Sequence, residues 1–143
     1  MASESDLNIF MPVLAMMLLT MLVWITLLYR RLSTAMSNGI AADRLNTPEK
    51  VKELLPEKAM APAYNLANLF ELPILFYVLS VYLSISNLVD SLFITCAWGF
   101  FAFRLAHSVI HCSYNKVMHR FAAYLLSSAL LWFMLLRAVF LSL

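Results

Sequence analysis

Glu71, Arg104, His107 and His111 all lie inside long apolar runs, and Arg120 and Tyr124 open a further one. A charge held at membrane depth costs roughly 3 kcal/mol or more, so in spanning segments it usually faces a bundle interior where a partner meets it. Several such groups at similar depth point to one buried polar site, and any function is to be sought there. Glu71 and Arg104 have the charges of an ion pair. His107 and His111 have the i,i+4 spacing of two metal ligands, but no third ligand is evident and no metal site is expected. Arg120 and Tyr124, also at i,i+4, set a cation and a hydroxyl donor on one helix face.

Depth supports the first pairing. A second helix entering near Pro62 places Glu71 roughly 14 Å in, and a third leaving near Cys112 places Arg104 roughly 12 Å from the same surface, at 1.5 Å per residue. Opposite charges at matching depth on antiparallel neighbours predict a Glu71–Arg104 pair, because an unpaired partner would cost several kcal/mol. Asn65, Asn68 and Glu71 recur every three residues as one polar stripe. Arg104, His107 or Ser108, and His111 form a second. The same residues also fit a structural role, in which the ion pair fixes helix register and the asparagines join helices by hydrogen bonds.

The elements that carry these stripes are membrane helices. Of 143 residues, 63% are hydrophobic and only 13% charged, and mean hydropathy is +0.82. Soluble domains carry about a quarter charged residues. Apolar stretches run over about 9–29, 62–84, 88–110 and 117–141, each near the ~20 residues that cross a ~30 Å core. None alternates with the period two of a barrel strand. The expected fold is all-α: one transmembrane domain over residues 1–143, built as a four-helix bundle. Met1 to Asn8 holds Glu4 and Asp6 without Lys or Arg, so no cleavable signal is expected there. A net charge of +2 gives no case for nucleic acid.

Basic residues set the expected orientation. Arg30, Arg31, Arg44, Lys50, Lys52 and Lys58 fall in the first connection, and Lys116 and Arg120 in or beside the third. The positive-inside rule places both connections in the cytoplasm and both termini on the periplasmic side. Arg137 dissents, and its long stem is expected to snorkel outward. Within the first connection Asn38-Gly39 reads as a turn. Thr47-Pro48-Glu49 reads as a helix start that Pro56 ends after about two turns. That helix either lies on the membrane or bundle mouth through Val51, Leu54 and Leu55, or is a solvated connector. Pro73 predicts a kink, because it leaves the carbonyl of Leu69 without its usual donor. Cys96 and Cys112 are expected to be free thiols.

Three motifs carry a resemblance. Asn68-Leu-Phe-Glu71 followed by Pro73 resembles the N-x-x-E…P signature of the MAPEG family, the membrane-associated proteins of eicosanoid and glutathione metabolism. Arg104-Leu-Ala-His107 resembles its R-x-x-H, and Arg120 with Tyr124 its R-x-x-x-Y. The resemblance covers essentially the whole chain, and Asn68 to Phe76 looks most like bacterial members. It implies a homotrimer in a bacterial inner membrane, with glutathione bound between subunits toward the cytoplasmic half. It further implies that Asn68, Glu71, His107, Arg120 and Tyr124 line that site, with Arg120 and Tyr124 serving catalysis; Arg104 and His111, from the same buried stripe, are added as candidate ligand contacts. A cation and a hydroxyl donor beside the sulfur favour thiolate, the nucleophilic form.

There are departures. Tyr64, Asn65 and Ala67 stand where eicosanoid-pathway enzymes carry arginines, Phe121 stands where one has serine, and His111 where tyrosine is frequent. The expected activity is a glutathione-dependent transferase or peroxidase acting on lipophilic electrophiles from the bilayer. A non-catalytic binder of membrane lipids or other amphiphiles, and a purely structural subunit, remain as alternatives.

Overall fold

The computed structural model describes residues 8–143, so the acidic segment with Glu4 and Asp6 lies outside the described residues. Four helical spans are long and apolar enough to cross a membrane: Phe10–Ser37, Glu57–Ile85, Ser91–Cys112 and Val117–Ser142. No strand occurs among the described residues. Many large apolar side chains point outward along every span, among them Leu14, Leu22, Val78, Trp98, Leu126 and Phe133. In water this surface would aggregate; in a bilayer it is the lipid face. The chain is an integral membrane protein.

Helix α1 (Phe10–Ser37) runs two turns past its apolar stretch, so Arg30 and Arg31 are helical rather than part of the connection. It stops where the sequence places a turn. Gly39 adopts φ +62°, the left-handed conformation that only glycine takes without cost. The Ile40 N–H then reaches back to the Ala35 carbonyl at 2.9 Å. A 3-10 turn (Ala42–Leu45) leads to α2 (Pro48–Leu54). The Thr47 hydroxyl oxygen caps α2 by accepting from the Lys50 N–H at 3.3 Å, and extended Leu55 ends it before Pro56. Val51 and Leu55 bury against Ala59 and Met60, so this short helix packs on its own chain and is no free connector.

The second span differs most from expectation. Instead of one kinked helix over 62–84 it is two, α3 (Glu57–Leu69) and α4 (Leu72–Ile85), separated at Phe70 and Glu71. Pro73 is the physical reason. It has no N–H to offer the Leu69 carbonyl. The junction is therefore held by short i→i−3 bonds: Phe70 N–H to Ala67, Glu71 N–H to Asn68 and Ile74 N–H to Glu71, at 3.0, 3.4 and 3.2 Å.

Helix α5 (Ser91–Cys112) and helix α6 (Val117–Ser142) form the most extensive helix pair. Gly99 brings them close: a β-carbon there would sit 2.8 Å from the Leu130 side chain. The core sits where α5 faces α1, α4 and α6, with Phe76 stacked on Phe100 at 4.6 Å between centroids. Met16, Leu83, Phe93, Leu131 and Met134 are sealed around that stack. Ser127 and Ser128 are buried and return their hydroxyls to the Tyr124 carbonyl at 2.7 and 2.8 Å.

At the end of the bundle away from the basic connections, Arg137 does not snorkel freely. It binds Asp90 through two nitrogens at 2.6 and 3.1 Å and lies 4.3 Å from the Phe93 ring centroid. Asp90 also caps α5 by accepting from the Phe93 N–H at 2.9 Å. Partial burial pushes its pKa up, but the Arg137 hydrogen bonds, the Phe93 N–H and the Arg137 charge outweigh this and hold it below the ordinary 3.8. A lowered carboxylate pKa contributes stability that is complete above the ordinary value and lost as pH falls through the folded-state value. Asp90→Asn retains a capping oxygen but not the charge. Its thermal midpoint in detergent is expected to lie below wild type at pH 7 and to converge with it as pH falls through the folded-state value of Asp90. Parallel profiles at every pH would show that the pair contributes nothing.

Candidate functional site

The face of α5 that carries Arg104, His107, Ser108 and His111 is buried throughout, as spacing at i, i+3, i+4 and i+7 requires. It meets the first turns of α6. Arg104 is wholly enclosed at 0% exposure, and among the described residues Nε, Nη1 and Nη2 have no partner in hydrogen-bond geometry, Tyr124 being the nearest polar neighbour. Its guanidinium lies 4.9 Å from the Tyr124 ring centroid and 5.5 Å from that of Phe100. Two aromatic faces contribute about 2 kcal/mol each when desolvated, which offsets only part of the cost of burying a charge without hydrogen bonds.

The two histidines continue the cluster. His107 Nδ1 lies 3.0 Å from the Arg120 carbonyl oxygen. A carbonyl only accepts, so Nδ1 carries the proton and donates it, which leaves Nε2 as an acceptor in the neutral ring. That Nε2 is buried without a partner, and so is Nδ1 of His111. The rings stand edge-on, 5.5 Å apart, and Tyr124 is 6.0 Å from His107. Half-buried Arg120 is steadied by Asn115, whose side-chain oxygen accepts from Nη1 at 2.7 Å. Asn115 itself adopts φ +50° in the tight turn between the helices, a conformation asparagine tolerates better than most residues. An Asn in a short turn ahead of a basic helix start is the signal that could have marked it.

The expected Glu71–Arg104 pair is not formed. Among the described residues the one ion pair is Asp90–Arg137, and Glu71 is exposed on the outside of the protomer. The helix break explains this. A stripe at every third residue stays on one face only while the helix is continuous, and at Glu71 the backbone turns to φ −98°, ψ −104°. Within α3 a three-residue step drifts by about 60°, so Asn65 is buried and Asn68 half-buried, and beyond the break Glu71 is exposed. Asn65 joins α3 to α5, accepting from the Ser108 hydroxyl at 3.3 Å and donating toward Cys112 Sγ at 3.6 Å. Cys112 and Cys96 are free.

Arg30 draws the same end together. It donates to the Lys58 carbonyl at 3.2 Å and to the Cys112 carbonyl at 2.6 Å, tying α1 to α3 and α5. Beside it opens a cavity of about 750 Å³ lined by Arg30, Thr34, Lys58, Cys112 and Asn115 among others. The protomer thus assembles Arg104, His107, His111, Arg120 and Tyr124 into one cationic cluster without an acid in hydrogen-bond contact. It leaves Asn68 and Glu71 outside that cluster.

The family model described as MAPEG family matches residues 9–140. No curated protein and no solved structure matches the chain significantly.

Proposed function

Because the chain belongs to the MAPEG family, we propose that it is a membrane-embedded glutathione-dependent transferase or peroxidase that acts on lipophilic electrophiles. The observation that carries this reading is the set of sealed, unpartnered nitrogens on Arg104, His107 and His111. Buried polar groups are rarely left unmatched. Together with the guanidinium of Arg120, that of Arg104 and the two imidazoles suit a small ligand with carboxylates and amides, which describes glutathione.

When bound, glutathione supplies the nucleophilic sulfur. Arg120 and Tyr124 then favour thiolate over thiol by offering a positive charge and a hydroxyl donor. In the protomer the nitrogens of Arg104, His107 and His111 are sealed, so the reading requires the α5–α6 seam to open for Arg104 and His111 to meet the ligand's anionic end and for His107 Nε2 to accept from it. Asn68 and Glu71 belong to the same site only in an assembly, where a neighbouring copy covers the outer face on which Glu71 stands. A carboxylate facing hydrocarbon is costly, which supports a homo-oligomer, in our reading the trimer. The basic end of the bundle is assigned to the cytoplasm and both termini to the periplasmic side of a bacterial inner membrane, following the positive charges.

A second reading, a non-catalytic binder of lipid or another amphiphile, draws support from an apolar groove of about 450 Å³ between α4 and α6. Val78, Leu79, Tyr82, Trp132 and Leu135 are among its lining residues. Glutathione and S-methylglutathione titrated into the full chain in nanodiscs, followed by calorimetry, separate the two. Glutathione binding at millimolar concentration or below, weakened by methylation of the sulfur, is the expected result. No heat from either ligand would overturn the glutathione reading and favour the amphiphile binder.

A further inference from the structure

Arg31 is next to Arg30 in sequence but differs from it in surroundings. Arg30 is satisfied by two carbonyls, whereas Nε of Arg31 is sealed from solvent without a hydrogen-bond partner. Among the described residues Arg31 enters no ion pair. It lines a cavity of about 380 Å³ between the end of α1, the start of α2 and the face of α3. Such a volume lies within the range of about 300–1,000 Å³ that holds small ligands. Lys52 is the second cation there, Asn46 and Thr47 supply neutral polar groups, Val51 gives an apolar surface, and no Asp or Glu lines the cavity. Glu53 and Asp43 line a separate cavity with Arg44 and Lys50.

Depth decides what could occupy it. The apolar stretch of α1 over 9–29 spans roughly 31 Å at 1.5 Å per residue, close to the full hydrocarbon thickness. Arg31 is the second residue beyond it and so stands at the level of the phospholipid phosphates. Tyr64, 43% exposed at the cavity, has the amphipathic ring that settles at headgroup depth. The exposed side chains of Leu28 and Leu32 on α1 offer the surface along which acyl chains lie.

We propose that Arg31 and Lys52, with Tyr64 beside them, bind the phosphodiester of an anionic phospholipid at the basic end of the bundle. The guanidinium can grip two phosphate oxygens at once, the ammonium adds a point charge, and the polar side chains of Asn46 and Thr47 complete a headgroup cradle. This inference is independent of glutathione chemistry.

Native mass spectrometry of the full chain with phosphatidylglycerol and phosphatidylcholine tests it. Wild type is expected to retain phosphatidylglycerol in preference to phosphatidylcholine. The pair Arg31→Gln with Lys52→Gln is expected to weaken that retention by roughly tenfold or more. Arg44→Gln with Lys50→Gln removes the same amount of charge from the same end of the bundle and is expected to leave it unchanged. Equal losses in both double variants, or no preference in wild type, would overturn the proposal in favour of diffuse attraction. Inorganic phosphate binding with the same dependence on Arg31 and Lys52, without lipid retention, would overturn it in favour of a free anion. Should the double variant fail to fold, Lys52→Gln alone changes only an exposed side chain and is still expected to lower retention several-fold; unchanged retention in it would overturn the proposal.

Discussion

Replacing Arg104 with methionine is expected to raise the thermal midpoint of the purified protein while abolishing its affinity for glutathione. Arg104 is enclosed with all three guanidinium nitrogens unpartnered, and the faces of Phe100 and Tyr124 do not replace the lost hydration. Exchanging a buried charge for an apolar side chain of similar length is often stabilising by about 1–4 kcal/mol. For a chain of this size that amounts to a rise of several degrees. A group kept at such a cost earns its place through what it binds. Thermal unfolding in detergent without ligand reads the first half of the prediction, and glutathione calorimetry in nanodiscs reads the second. A lower midpoint in Arg104→Met would show that the guanidinium is a structural partner, and would count against the ligand site drawn around it.

Arg120→Ala carries the other large effect. If the guanidinium meets the ligand sulfur, its loss removes a charge-assisted hydrogen bond worth about 1.5–3 kcal/mol, an affinity change of roughly 10- to 150-fold. The substitution leaves in place the main-chain carbonyl that His107 uses, so the α5–α6 contact survives. What is lost within the protomer is the bond to Asn115. Arg120→Lys keeps the charge without the planar fork and is expected to retain part of the affinity. Comparing glutathione affinity with the thermal midpoint separates the two roles of this residue. A fall in midpoint with unchanged affinity would make Arg120 an interfacial anchor, whereas lost affinity at constant midpoint places it at the ligand.

Arg104 and Arg120 are informative because the sequence and the structure agree on where they lie and differ on what surrounds them. That α5 buries Arg104, His107 and His111 is a matter of helical period alone, legible from four positions. That Arg120 and Tyr124 meet them follows from the short turn at Asn115, which forces two long helices to run back along each other. Glu71 is the counter-example. Its expected depth is only residue count times rise. Its direction was not legible, because each residue turns a helix by 100° and the break ahead of Pro73 resets that count.

Local physics also explains what else the sequence determined. The four spans, the Gly39 stop, the Thr47 cap and the Pro73 interruption depend on neighbours within a few residues, and three short motifs carried the resemblance to the family. Only the tertiary structure decided the long-range partners: Arg137 with Asp90, 47 residues away; Asn65 with Ser108 and Cys112; Arg30 with the carbonyls of two other helices; and, among the described residues, the sealed Nε of Arg31 without a partner. Such pairings depend on how each helix is rotated and set beside its neighbours, and in a lipid environment that is fixed by packing and polar matching rather than by hydrophobicity, which is nearly uniform along every span.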